Sequence, residues 1–228
     1  MRHPLTLAAP MLGLALILSA CGSSSGVAAP SSGATGPTAA GSTIPSAAPA
    51  TSTAAGPTIP PSAVRAAAAT CTAPATATTA QTEGPYYKAG APAAADLVTD
   101  GMAGTRVLLT GLVLGTDCAP IANAKVETWQ ADASGTYDNT GYVLRGYVLT
   151  DSDGRYAIRT IVPGEYPGRT EHIHVKITPP GGATLTTQLY FPGAAANDSD
   201  GIYSPDMLLT MTQDGDALIG TYTFIVGA

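Results

Sequence analysis

The chain has 228 residues, of which 45% are hydrophobic and only 11% charged, and its formal net charge is −6. An acidic balance with ten Lys and Arg residues and no basic stripe argues against nucleic acid as partner. The length is enough for one domain with a sizeable core.

Residues 1–20 begin with the basic Arg2 and continue in an apolar run through Leu12, Leu14, Leu16, Ile17 and Leu18. The run is too short for a stable transmembrane helix and has the shape of a secretory signal. Leu18-Ser19-Ala20-Cys21 resembles a bacterial lipoprotein cleavage box, which predicts removal of residues 1–20 and lipidation of Cys21. An ordinary signal peptide with an incidental cysteine is the alternative. Loss of Arg2 with the signal takes the charge from −6 to −7. More than one acyl chain on Cys21 would anchor the protein durably to the outer face of the cytoplasmic membrane, in the cell envelope.

Residues 21–66 are almost wholly Ala, Ser, Gly, Thr and Pro, with no charge before Arg65. Such a stretch cannot bury enough apolar area to offset its ordering entropy, so a disordered tether is expected. A flexible coil of this length spans roughly 35–40 Å. The remaining domain, residues 67–228, keeps two cysteines, Cys71 and Cys118. In an oxidising compartment they are expected to form a disulfide, pinning the start of the domain to the turn Asp117-Cys118-Ala119-Pro120.

Within the domain, strands are predicted over 106–114, 124–130, 142–150, 155–160, 171–178, 184–191 and 218–226, from β-branched and alternating apolar patterns. Gly, Pro, Asn and Asp clusters separate them, and no long amphipathic helix is evident. The expected fold class is all-β, an antiparallel β-sandwich.

The three histidines are His3, in the signal, and His172 and His174. The latter two are placed i and i+2 on a strand, so both imidazoles share a face while Ile173 points into apolar packing. Paired imidazoles are a metal-ligand geometry, although His-x-His also occurs in ordinary half-buried strands. Tyr166, in the turn Pro163-Gly164-Glu165-Tyr166-Pro167-Gly168, and Tyr137, in the loop after a strand, are candidate partners. A phenol with an ordinary pKa near 10 becomes a ligand at neutral pH only beside a strongly Lewis-acidic cation. Fe(III) is such a cation, and two phenolates with a hydroxide would balance its charge.

The sequence resembles the intradiol ring-cleavage dioxygenases, of the protocatechuate 3,4-dioxygenase type, from Cys71 to about Tyr203. The resemblance rests on Gln81-Thr82-Glu83-Gly84-Pro85-Tyr86-Tyr87, Trp129-Gln130-Ala131-Asp132 and Gly135-Thr136-Tyr137. It continues with Thr150-Asp151-Ser152-Asp153-Gly154, Pro163-Gly164-Glu165-Tyr166, Arg169-Thr170-Glu171-His172-Ile173-His174 and Thr187-Gln188-Leu189-Tyr190-Phe191. The lipobox, the two cysteines and the Gln81 motif are most similar to the exported branch of that family. The resemblance implies the family's sandwich core and a non-haem Fe(III) held by Tyr137, Tyr166, His172 and His174. Tyr166 and His174 would be axial, with Tyr137 and His172 equatorial. It further implies cleavage of a catechol-type substrate with O2 to a cis,cis-muconate-type diacid. Tyr166 would leave the iron and take up a substrate proton, Arg169 would place a cation beside the ring, and Gln188 would be a pocket glutamine.

Plainer readings accompany several of these residues. Tyr137 could cap the sandwich, and Tyr166 could pack on Pro163 and Pro167. Arg169 could form a surface ion pair with Glu165 or Glu171. Tyr86, Tyr87, Arg145 and Tyr147 are candidates to line a substrate pocket or are simply sheet residues, and Trp129 is expected in the core. Only five residues separate Tyr166 from His172, and there is no room for an N-terminal helical dimerisation region. Substrate choice is thus unconstrained and a homo-oligomer is left open. The alternative function is a non-catalytic or zinc- or copper-binding extracytoplasmic β-sandwich module.

Overall fold

A computed structural model describes residues 71–215 and 217–227. The predicted signal (1–20), the lipidation site Cys21 and the tether (21–66) lie outside the described residues. The elements are β1 (Arg106–Gly115), β2 (Lys125–Trp129), β3 (Arg145–Leu149), β4 (Arg155–Ile161), β5 (His172–Thr178), β6 (Leu185–Tyr190), β7 (Thr210–Asp214) and β8 (Ala217–Val226). They form two four-stranded sheets, ordered β4-β1-β8-β7 and β3-β2-β5-β6.

The two sheets share one apolar core. Leu109, Val113, Tyr156, Ile158 and Phe224 enter it from one sheet, and Val126, Ile173, Val175, Ile177 and Leu189 from the other. Each such side chain contributes about 1.5–3 kcal/mol when fully buried. In β5 the alternation is strict: Ile173, Val175 and Ile177 face the core, which turns His172 and His174 to the other face of the sheet. That outer face is itself covered, so the histidines are as buried as the isoleucines.

Part of the cover is an extended strap that precedes β1. It begins at Cys71, which is disulfide-bonded to Cys118 with the Cα atoms 5.9 Å apart. From there it follows sheet edges through backbone hydrogen bonds from Ala75 to Thr116, Thr78 to Ile225, Gln81 to Thr186 and Ala94 to Tyr147.

The structure departs from the sequence reading in three places. Residues 142–144 do not extend β3: they form a turn closed by Arg145 N–H to the Tyr142 carbonyl, with Leu144 at φ 55°. Strand β7 has no counterpart among the predicted strands. It is a mostly exposed edge strand, Thr-Met-Thr-Gln-Asp, whose pairing with β8 rather than its own polarity pattern makes it a strand. The pairing is antiparallel throughout except between β1 and β8, which run parallel.

Candidate metal centre

Strand register builds the site. Arg145 of β3 lies opposite Trp129 of β2, Trp129 opposite His174 of β5, and His174 opposite Gln188 of β6. Residues directly opposite share a face, so these four form one row across the sheet. In the next row on the same face, His172 lies opposite Tyr190. Trp129 stacks on His174, with ring centroids 4.8 Å apart and planes 6° from parallel.

Two loops bring the tyrosines over this row. Tyr137 follows β2, and its hydroxyl lies 3.3 Å from His172 Nε2. Tyr166 sits in the tight turn before β5, closed by Arg169 N–H to the Tyr166 carbonyl at 2.8 Å. Its ring centroid is 5.6 Å from that of His172 and 5.9 Å from that of Tyr137. The two loops touch at Gly135, where a Cβ would fall 2.2 Å from the Glu165 carbonyl oxygen, so only glycine permits the approach. The Nε2 atoms of His172 and His174 are 3.1 Å apart. Two imidazoles and two phenols thus meet in a buried space.

The electrostatics suit a cation there. Burial drives both imidazoles to the neutral form, His172 down to about 4 and His174 well below its ordinary range. His172 Nδ1 lies 2.6 Å from the Thr170 carbonyl, which can only accept, so the proton sits on Nδ1 and the Nε2 lone pair faces the cluster. Burial, reinforced by Tyr166, raises Tyr137 far above an ordinary phenol; burial also raises Tyr166, with Arg169 partly offsetting it. Neither phenol would ionise near neutrality unless a highly charged cation stood beside it. No group of three or more His, Cys, Asp and Glu side chains assembles among the described residues, and the side chains beside the two imidazoles that could add donors are the phenols of Tyr137 and Tyr166. This mixture of neutral nitrogen donors and ionisable phenols fits a hard trivalent iron.

Around the cluster, Arg169 is not the surface residue of the plainer reading. It pairs with neither Glu165 nor Glu171; its Nε donates to Asp200 Oδ2 at 2.9 Å. The distant 3-10 turn Asn197–Ser199 delivers that carboxylate, so proximity in sequence gave the wrong partner. Arg169 also donates to the Gln188 side-chain oxygen and, at 3.3 Å, to the Tyr166 hydroxyl. Gln188 Nε2 in turn donates to the Thr82 carbonyl at 3.0 Å. Burial pushes the Asp200 carboxyl up, but bonds from Ile202 N–H, Arg169 and Thr170 N–H outweigh it and hold Asp200 below the ordinary range.

The residues proposed to line a pocket divide. Tyr86 stacks on Tyr137 with centroids 4.4 Å apart and meets the edge of Tyr166. Tyr87 packs on the edge of Trp129. Arg145 is buried, with its guanidinium carbon 5.8 Å from the Tyr137 ring centroid, and donates to the Tyr86 and Asp138 carbonyls. Tyr147 is not brought to the cluster: it lies opposite Glu127, with Lys125 Nζ 4.5 Å from its ring centroid. Sequence reasoning missed Asp200, Thr170, Asn197 and Tyr190. The Asn-Asp-Ser-Asp-Gly run around Asp200 reads locally as turn chemistry, which hides its long-range role.

A family model described as "Dioxygenase" matches residues 82–226. Among solved structures, the dioxygenase domain of a dioxygenase carbohydrate-binding protein fusion from the cellulolytic bacterium Streptomyces sp. SirexAA-E is 43% identical. The match covers 67% of this chain and 99% of that one, with a TM-score of 0.65. The 3-chlorocatechol 1,2-dioxygenase of Rhodococcus opacus 1CP is 31% identical, with 66% of this chain and 72% of that one covered and a TM-score of 0.61. The 6-chlorohydroxyquinol 1,2-dioxygenase of Cupriavidus pinatubonensis is 36% identical over 145 residues, which are 53% of this chain and 52% of that protein. The match spans about half the length of several such curated relatives.

Proposed function

This chain belongs to the intradiol ring-cleavage dioxygenase family, and on that premise we propose that it is a non-haem Fe(III) enzyme. It uses O2 to open a catechol-type ring between its two hydroxylated carbons, giving a cis,cis-muconate-type dicarboxylate. The observation that carries this reading is the convergence of the two Nε2 atoms, 3.1 Å apart, with the Tyr137 hydroxyl 3.3 Å from His172 and Tyr166 alongside. Tyr137, Tyr166, His172 and His174 would hold the iron. Bound Fe(III) would supply the Lewis acidity that ionises the phenols and a catechol and makes the bound ring reactive towards O2.

The chain's own residues account for the rest. Tyr166 is only half-buried and lies beside the Arg169 cation, so its oxygen is placed to accept a proton from an arriving catechol hydroxyl. Arg169, fixed by Asp200 and Gln188, stabilises negative charge developing on the ring. Tyr86 on Tyr137 and Trp129 on His174 cover two of the four donor rings against water. The relatives' names point to catechol-type substrates, and the reading takes no single catechol from them.

The same reading places the enzyme at the outer face of the cytoplasmic membrane, held by a lipid on Cys21. Support comes from the Leu18-Ser19-Ala20-Cys21 sequence and from the Cys71–Cys118 disulfide, a bond that persists in oxidising compartments.

The test is the visible spectrum and iron content of the purified, iron-loaded protein, followed by catechol under air. A broad phenolate-to-Fe(III) band that shifts with catechol, with O2 uptake and a diacid product, is expected. A protein that stays colourless after iron loading would favour the zinc, copper or non-catalytic alternative.

A further inference from the structure

We propose that Asp200 is a positioning residue whose one carboxylate holds Arg169 and His172 in a fixed relation. The inference rests on the function proposed above and extends the Asp200–Arg169 contact used there to His172, through Thr170. Asp200 Oδ2 accepts from Arg169 Nε at 2.9 Å and from the Thr170 N–H at 3.0 Å. The Thr170 carbonyl, on the same residue, receives the His172 Nδ1 proton at 2.6 Å. One oxygen therefore fixes the guanidinium directly and the imidazole through a single residue.

The arrangement is built to be rigid. The Asp200 side chain is 1% exposed, and its Oδ1 accepts from the Ile202 N–H at 3.0 Å. Thr170 is tied a second time, its hydroxyl donating to Asn197 Oδ1 at 2.7 Å while Asn197 Nδ2 donates to the Phe191 carbonyl at 2.9 Å. The Ile202 carbonyl accepts from the Tyr190 hydroxyl, and Tyr190 stands opposite His172 across the sheet. The turn after β6 thus grips the segment before β5 at two points, both directed at His172 and Arg169. Arg169 forms no other ion pair among the described residues, and its side chain is 15% exposed. Removing the carboxylate charge would leave a largely buried cation to find another partner, and the neighbours within reach are Gln188 and the Tyr166 oxygen. Arg169 would then move toward the proton-accepting phenol.

Two readouts test this on the full chain. In the iron-loaded enzyme, Asp200→Asn is compared with Arg169→Gln and with the double variant. The expected result is a fall in kcat/KM of roughly 10–100-fold for Asp200→Asn. That fall should largely disappear when Arg169 is already Gln, because the two residues act as a unit. Asp200→Glu, which keeps the charge, is expected to recover part of the loss. In the metal-free protein, NMR follows the His172 Nδ1 proton, whose solvent exchange should become about tenfold faster or more in Asp200→Asn. An unchanged exchange rate together with additive kinetic losses overturns the proposal. If the wild type neither retains iron nor consumes O2, the proposed function fails, and the His172 proton still decides whether Asp200 positions the ring.

Discussion

Trp129 lies flat against the imidazole of His174, 4.8 Å between centroids, because the register of β2 and β5 sets the two residues directly opposite. A core tryptophan thereby fixes the plane of a candidate metal ligand. Trp129→Ala should cost about 3–5 kcal/mol in stability and lower iron occupancy at equal protein concentration. Trp129→Phe, which keeps a ring on His174, should cost less and retain most of the iron. Thermal unfolding and iron-to-protein ratio measure both; full iron in Trp129→Ala would show that the stack does not orient His174.

Tyr166 and His172 should respond differently to removal. Tyr166→Phe keeps three donors and a ring of nearly the same shape, so iron should remain while the visible band weakens and kcat falls roughly 10²–10⁴-fold with the proton acceptor gone. His172→Ala removes the ligand whose tautomer is fixed by Thr170, and iron should be lost. Full iron occupancy in His172→Ala, or an unchanged visible band in Tyr166→Phe, would contradict the assigned ligand set.

Acid should destabilise the metal-free protein in a defined window. His172 falls from an ordinary 6.5 to about 4 through burial, so the unfolded chain binds more protons between those values. Its contribution to stability is fully present above about pH 6.5 and is lost as pH falls through about 4. The amount is on the order of 3 kcal/mol for this residue alone. His174 is shifted in the same direction and adds to the slope. Denaturant unfolding at a series of pH values measures it; a flat profile across the window would contradict it. Bound iron should protect the protein and release as protons compete for the imidazoles.

The disulfide should stabilise the domain without shaping the donor set. Cys71 and Cys118 are 47 residues apart, and closing a loop of that size contributes about 4 kcal/mol by the chain-entropy estimate. The double variant Cys71→Ser, Cys118→Ser should lower Tm by roughly 8–16 °C. The strap's backbone hydrogen bonds to Thr116, Ile225 and Thr186 remain, so the visible band of the iron-loaded variant should be unchanged below its Tm. A Tm equal to that of the wild type would show that these bonds alone hold the strap.

Much of this protein was legible in the amino-acid order. The two-residue period of Ile173, Val175 and Ile177 placed His172 and His174 on one face, since side chains in a strand alternate. Motif order carried Tyr137, Tyr166, Arg169 and Gln188 to the same site, and the fold class followed from short apolar runs between turn residues. Position 142–144 and strand β7 were not legible, because a left-handed Leu144 and an exposed edge strand owe their conformations to neighbours rather than to local pattern. The same holds for the partners of the site. That Trp129 covers His174, that Arg145 lies beneath Tyr137 while Tyr147 does not reach it, and that Asp200 rather than Glu165 or Glu171 binds Arg169 are matters of register and of chain return. Sequence fixes which faces and turns exist, through local sterics and periodicity; contacts between residues dozens of positions apart arise only when the sheets pair and the loops close over them.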